Sequence, residues 1–141
     1  MTYKVEVITL PVSNVDRALA FYTEQAGFTL DVDYQPSDDF RVVQLTPPGS
    51  NCSVQVGVGL TDATPGSVRG LYTVVEDLQK ARDELTNRGV NVSDIRHKSP
   101  IDDWRGGWEP GMDHHSDYAS FADFTDPDGN QWVLQERSYG N

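Results

Sequence analysis

The chain reads twice through one pattern, and that repetition limits its fold more than any single residue does. In the first pass, Lys4–Leu10 alternates with β-branched residues and stops at Pro11. Ser13-Asn14 then offers a helix cap. Val15, Ala18, Leu19, Tyr22 and Ala26 recur at helical spacing, and Gly27 ends the run. Strands are expected over Phe28–Tyr34, Phe40–Thr46 and Cys52–Val58, separated by two turn-forming stretches rich in Pro, Ser, Asp and Gly. A linker holding Pro65-Gly66 follows, and the pattern restarts. Leu71–Val75 reads as a strand, and Asp77–Arg88 as a helix with Leu78, Ala81 and Leu85 on one face and Gly89 at its end. Val90–Ile95, Tyr118–Thr125 and Gln131–Gln135 read as the remaining strands. Val12-Ser13-Asn14-Val15 introduces the first helix as Val75-Glu76-Asp77-Leu78 introduces the second. The shared cap, apolar face and terminal Gly predict an α+β fold made of two βαβββ modules within one domain, 1–141. Module one spans 1–60, a linker 61–68, and module two 69–141.

Composition narrows the function classes. There are 22 acidic residues against 11 basic, a formal net charge of -11. Phosphate backbones and anionic membranes both require clustered Lys and Arg, so neither nucleic acid nor a membrane surface is an expected partner. No apolar run is long enough to cross a bilayer. The N-terminus lacks the charged start and apolar block of a signal peptide, so a reducing, cytoplasmic setting is expected. A single cysteine, Cys52, excludes an internal disulfide and any Cys-cluster metal site. Phosphate-loop, dinucleotide and nucleophile-elbow fingerprints are absent.

The second half carries an insertion, Pro100–Asp117, with two of the three Trp (Trp104, Trp108), two of the three His (His114, His115) and five acids against one Arg. Long loops of this kind in compact domains are usually functional or disordered, and the aromatic content points to an ordered lid. His114 and His115 are the candidates for acid–base work, because imidazoles beside carboxylates titrate in a useful range.

Two stretches carry a family resemblance. Val12-Ser13-Asn14-Val15-Asp16-Arg17-Ala18-Leu19-Ala20-Phe21-Tyr22 with Gly27, and Asp126-Pro127-Asp128-Gly129-Asn130 before the last strand, resemble the vicinal oxygen chelate superfamily. That group includes glyoxalase I, extradiol dioxygenases and bleomycin-resistance proteins. The resemblance implies curved sheets around a cleft, commonly completed in a homodimer. It also implies, for the enzymes, one divalent metal held by His, Gln or Glu. Counted from the motifs, the ligand places fall on Val7, Gln44, Gly70 and Val133. A neutral amide alone does not hold a divalent cation, so no metal and no cofactor are expected. Glu136 lies three residues beyond position 133, on the opposite face of a strand.

If the ligand places face the cleft, so do their even-offset neighbours. The expected ligand-binding set is Val7, Thr9, Val42, Gln44, Gly70, Tyr72, Val133 and Gln135, with Trp104 and Trp108 above it. Thr46 and Gln131 share that parity, whereas Phe21, Tyr22, Phe28, Phe121, Phe124 and Trp132 read as packing residues. Two functions follow. One is a metal-independent binding protein of the bleomycin-resistance kind, sequestering an aromatic or cationic compound such as an antibiotic. The other is an enzyme of the same superfamily, either a cofactor-free isomerase or lyase or a lyase or dioxygenase with a relocated metal.

Overall fold

The computed structural model describes residues 1–100, 105–114 and 116–137. The chain forms two compact units, Met1–Arg69 with Thr125–Asn130, and Gly70–Phe124 with Gln131–Asn141. The short turn before the last strand therefore belongs to the first unit, although the second half of the sequence supplies it.

In the first unit the elements are β1 (Val7–Thr9), α1 (Val15–Ala20), β2 (Thr29–Ser37), β3 (Phe40–Thr46) and β4 (Ser53–Val58). Asn14 is extended, and its side chain accepts from the Arg17 N–H at 3.0 Å, satisfying one of the donors a helix start leaves over. The helix runs on into a single wider π turn, Phe21–Gln25, before Gly27 at φ 79°. The sheet order is β1-β4-β3-β2, with β1 parallel to β4 and the other pairs antiparallel. One face carries Val43, Leu45, Val54 and Val56, all buried together with Ala18, Phe21 and Tyr22 of the helical segment.

The second unit holds β5 (Leu71–Val75), α2 (Leu78–Asn87), β6 (Arg96–Ser99), β7 (Gly107–Pro110), β8 (Ser120–Thr125) and β9 (Gln131–Glu136). Its order is β5-β9-β8-β6-β7, with β5 parallel to β9. Setting β7 aside, this order repeats the first sheet strand for strand. The Asp77 carboxylate caps α2 at the Lys80 N–H, 3.0 Å away, as Asn14 caps α1. The α+β architecture and the duplication read from the sequence both hold.

Two expectations are corrected. Val90–Ile95 is not a strand, and the strand lies at Arg96–Ser99 instead. Val90, Val92 and Ile95 are buried, and the backbone between them is held by Arg82, which donates to the Ser93 carbonyl, and by the Ser93 N–H, which donates to the Asp123 backbone carbonyl at 2.8 Å. The insertion, expected to form a lid, contains strand β7, which extends the sheet by pairing Ser99 with Gly107 through Arg96 with Pro110.

The Asp126-Pro127-Asp128-Gly129-Asn130 turn closes the first unit through a buried polar cluster. The Asp126 carboxylate, 3% exposed, accepts the backbone N–H groups of residues 128, 129 and 130 on Oδ1, each at 3.0 Å. On Oδ2 it accepts the Tyr22 hydroxyl and the Asn130 amide, both at 2.8 Å. Asn130 also donates to the Pro11 carbonyl at 2.9 Å. Burying a carboxylate is costly unless its lone pairs are filled, and here five donors fill them. Asp128 faces the start of α1, taking hydrogen bonds from Ser13 and an ion pair from Arg17 at 3.3 Å. Burial by itself would raise the Asp128 carboxyl, but those bonds outweigh it and hold the group below the usual aspartate value. Gly66, at φ 78°, passes so close beneath this turn that a Cβ would lie 1.9 Å from the Asp128 carbonyl oxygen.

No helix among the described residues is long and apolar enough to cross a membrane.

Candidate ligand-binding site

Each sheet presents one face to its helix, and among the described residues no helix covers the other. In the first unit, register decides which residues share the open face. Gln44 stands opposite Val32 on β2 and Gln55 on β4, and Val42 stands opposite Tyr34 and Gly57. Gln55 stands opposite Thr9, and its amide donates to the Thr9 hydroxyl at 2.8 Å. Val7, Thr9, Val42 and Gln44 are thus brought onto one face, as their even spacing predicts. Thr46 joins them, hydrogen-bonded to Asp31 and 2.6 Å from the Ser53 hydroxyl. Val7, Val32 and Tyr34 are between two-fifths and three-fifths exposed, so this face is an open apolar floor crossed by neutral polar groups. Val32 and Tyr34 were not among the expected residues, and their alternation on β2 was the available signal.

In the second unit, Tyr72 stands opposite Val133 and Val74 opposite Gln135. The Gly70 N–H donates to Gln131 at 3.1 Å, and the Gln135 amide donates to the Tyr118 carbonyl at 3.0 Å. Tyr72 is well exposed, whereas Val133 is buried and serves as a spacer beneath its neighbours. Trp108 lies on β7 rather than on a lid, because Lys98 and Trp108 are cross-strand partners. Its ring meets Phe121 edge-on at 5.1 Å, and Phe121 meets Tyr72 edge-on at 6.5 Å. Tyr72, Phe121 and Trp108 form an aromatic row across the sheet, with Trp108 48% exposed at its outer end. Phe121, expected only to pack, is both buried and the middle of this row.

The charged residues on this face are ones the sequence did not single out. Arg96 pairs with Asp123 at 3.0 Å, and Asp123 also receives the Gln131 amide at 3.1 Å. Burial works to raise the Asp123 carboxyl, but Ser93, Gln131 and Arg96 together hold it below its usual value. The Arg96 guanidinium and the Lys98 ammonium lie 4.8 and 4.5 Å from the centroid of the Trp108 ring.

The four metal-ligand places do not fit a metal ion. Val7, Gly70 and Val133 offer no side-chain donor, and Gln44 is a single neutral amide. Glu136 is turned to the other face, where its carboxylate accepts the Leu78 N–H at 2.9 Å and caps α2. Among the described residues no group of three or more His, Cys, Asp or Glu side chains stands together as metal donors. His114 is exposed, and His115 and Trp104 lie outside the described residues. A hollow of about 250 Å³ in the first unit, lined by Leu10, Pro11, Gly57 and Leu60 among others, contains none of the expected site residues. It is also smaller than the usual organic-ligand pocket.

The model of one family, described as Glyoxalase/Bleomycin resistance protein/Dioxygenase superfamily, matches residues 4–134. Among solved structures, the chain is similar to TnmS3, an antibiotic binding protein from Streptomyces sp. CB03234. The two are 30% identical over 97% of this chain and 98% of that one, with a TM-score of 0.72. It is also similar to a glyoxalase/bleomycin resistance protein from the same Streptomyces strain, 30% identical over 94% and 99% of the two chains, TM-score 0.68. A superfamily member from Sphaerobacter thermophilus DSM 20745 is 28% identical over 96% and 98%, TM-score 0.71. Among curated proteins none matches the sequence.

Proposed function

Since the chain belongs to the Glyoxalase/Bleomycin resistance protein/Dioxygenase superfamily, we propose that it uses this fold to capture a small aromatic compound, such as an antibiotic, without transforming it. The observation that carries this reading is the Tyr72–Phe121–Trp108 row, an aromatic surface held on rigid strands and left partly open. Flat rings bury large area on such a surface at little entropic cost, since aromatic side chains on strands have few rotamers to lose. The metal-ligand places filled by Val7, Gly70 and Val133 give no support to the metal-dependent chemistry of the superfamily's enzymes. The similarity to an antibiotic binding protein at 30% identity supports the same reading.

The proposal includes a homodimer, for which the exposed apolar series Tyr3, Val5 and Val7, leading into the edge strand β1, is the support. Light scattering behind size exclusion should return twice the chain mass.

The test of capture is a thermal-shift screen of planar aromatic natural products, followed by calorimetry and mass spectrometry of the recovered ligand. One ligand at a hundredfold excess over its Kd should stabilise the protein by about 2.7 kcal/mol, and it should be recovered unchanged. A product of altered mass would replace capture with catalysis, and a screen without hits across aromatic classes would remove the proposal.

A further inference from the structure

Strand β6 places two cations beside Trp108, and among the described residues only one of them is paired with a carboxylate. Arg96 is matched by Asp123 at 3.0 Å. Lys98 is 8% exposed, and its ammonium donates to the Gly106 carbonyl at 3.0 Å. No ion pair joins it to a carboxylate among the described residues. An ammonium has three donors, and a buried one without a counter-charge is costly, because a carbonyl dipole and a ring face replace only part of its hydration. This cost sits at the outer end of the aromatic row, beside the exposed Trp108 and on the face of the sheet turned away from α2.

We propose that the counter-charge comes with the ligand, and that the compound captured is an aromatic acid. Its ring lies against Trp108, and its carboxylate or equivalent anion meets the Lys98 ammonium. The inference rests on the capture reading and adds to it the charge of the ligand. It also reverses the cationic preference that the acid-rich composition suggests, because a cationic ring substituent would meet two cations already within 5 Å of the Trp108 centroid. The net charge of -11 opposes the approach of an anion over distance. Screening confines that opposition to roughly 8 Å at physiological salt, whereas Lys98 acts at contact.

The experiment compares anthraquinone carboxylate with its neutral carboxamide by calorimetry on the whole protein. The two probes share a ring system and differ in charge. A charge-assisted hydrogen bond in place of a neutral one predicts that the carboxylate binds about tenfold tighter. In Lys98→Met, which keeps the length of the stem, that ratio should fall to about one. Arg96→Gln serves as a second variant should Lys98→Met not fold, and it should lower the ratio by a smaller factor. Equal affinities in the unmodified protein, or a ratio that survives both variants, would overturn the proposal and leave aromatic capture standing. Absence of binding by both probes would count against capture itself.

Discussion

Tyr22→Phe removes one oxygen atom from the buried cluster that ties the first helical segment to residues 125–130, and it tests whether that cluster is worth what its geometry implies. The ring would stay where it is, packed edge-on against Phe21 at 5.1 Å and beside Phe28 at 5.2 Å, so no cavity beyond a hydroxyl is made. What is lost is a 2.8 Å hydrogen bond to a carboxylate that is 3% exposed. Bonds to charged acceptors contribute about 1.5–3 kcal/mol. Asp126 would keep its four other donors, which places the expected loss toward the lower end, about 2 kcal/mol. For a chain of this length that corresponds to a fall in Tm of roughly 6 °C. Urea denaturation followed by Trp fluorescence reads the change directly. Asp126→Asn should cost more, about 3–5 kcal/mol, because an amide nitrogen would then face donors. A double-mutant cycle should return a coupling of at least about 1 kcal/mol. A Tyr22→Phe loss below about 0.5 kcal/mol, or a coupling near zero, would refute the claim that Asp126 organises this unit through Tyr22.

Further expectations can be checked with the same assay or a simple one. Gly66→Ala combines a left-handed backbone with a Cβ 1.9 Å from the Asp128 carbonyl and should cost about 3 kcal/mol, whereas Gly111→Ala, with open space around it, should cost only its backbone strain, about 1 kcal/mol. Trp108→Ala should weaken any aromatic ligand at least about fivefold without changing the far-UV spectrum. Lys98→Met should raise the unfolding free energy in the absence of ligand, by about 1 kcal/mol, because it removes a buried charge, and a fall would show the ammonium to be well paired. Hydrogen bonding by Arg41 holds the Asp33 carboxyl low, as the bonds to Asp123 and Asp128 do theirs. Folded-state values below the unfolded one give stability that is complete above about pH 4 and lost as pH falls through the folded values. Stability should therefore be flat from pH 7 to about 5 and then drop, and Ser13→Ala should make that acid loss shallower.

Much of the fold was legible because its local signals agree with its tertiary ones. Asn14 and Asp77 cap helices in the structure as their positions in sequence indicate, and β3 and β5 have the expected limits. Strand β7 was illegible for a physical reason. Gly107-Trp108-Glu109-Pro110 contains two residues that weaken strands, tolerated because β7 lies at the sheet edge and pairs on one side only. Strand β6, Arg96-His97-Lys98-Ser99, lacks the apolar alternation of a half-buried strand because its open face carries cations on a tryptophan. Val90 and Val92 supplied that alternation nearby and drew the assignment to themselves. Val7, Thr9, Val42 and Gln44 share a face, as do Tyr72, Val133 and Gln135, because parity along a strand survives folding. Arg96, Lys98 and Asp123 were missed because charged residues have the same letters whether a strand buries them or leaves them to solvent. The link from Tyr22 to Asp126 spans 104 residues, beyond any local pattern.

The exchange of residues 125–130 bears on the order in which this chain is made. A ribosome releases Met1–Arg69 long before Asp126, so the first sheet emerges without the group that receives the Tyr22 hydroxyl and without the amide that reaches Pro11. Until those six residues follow, its buried polar atoms have only water to turn to, and the helix start at Ser13 lacks its acidic partner. The early half must therefore wait, incomplete, through the synthesis of most of the later one. Gene fragments divided at 61–68 should yield insoluble first halves, and appending a copy of residues 125–130 should rescue them. The line along which the strand order repeats is thus not the line along which this chain divides into units.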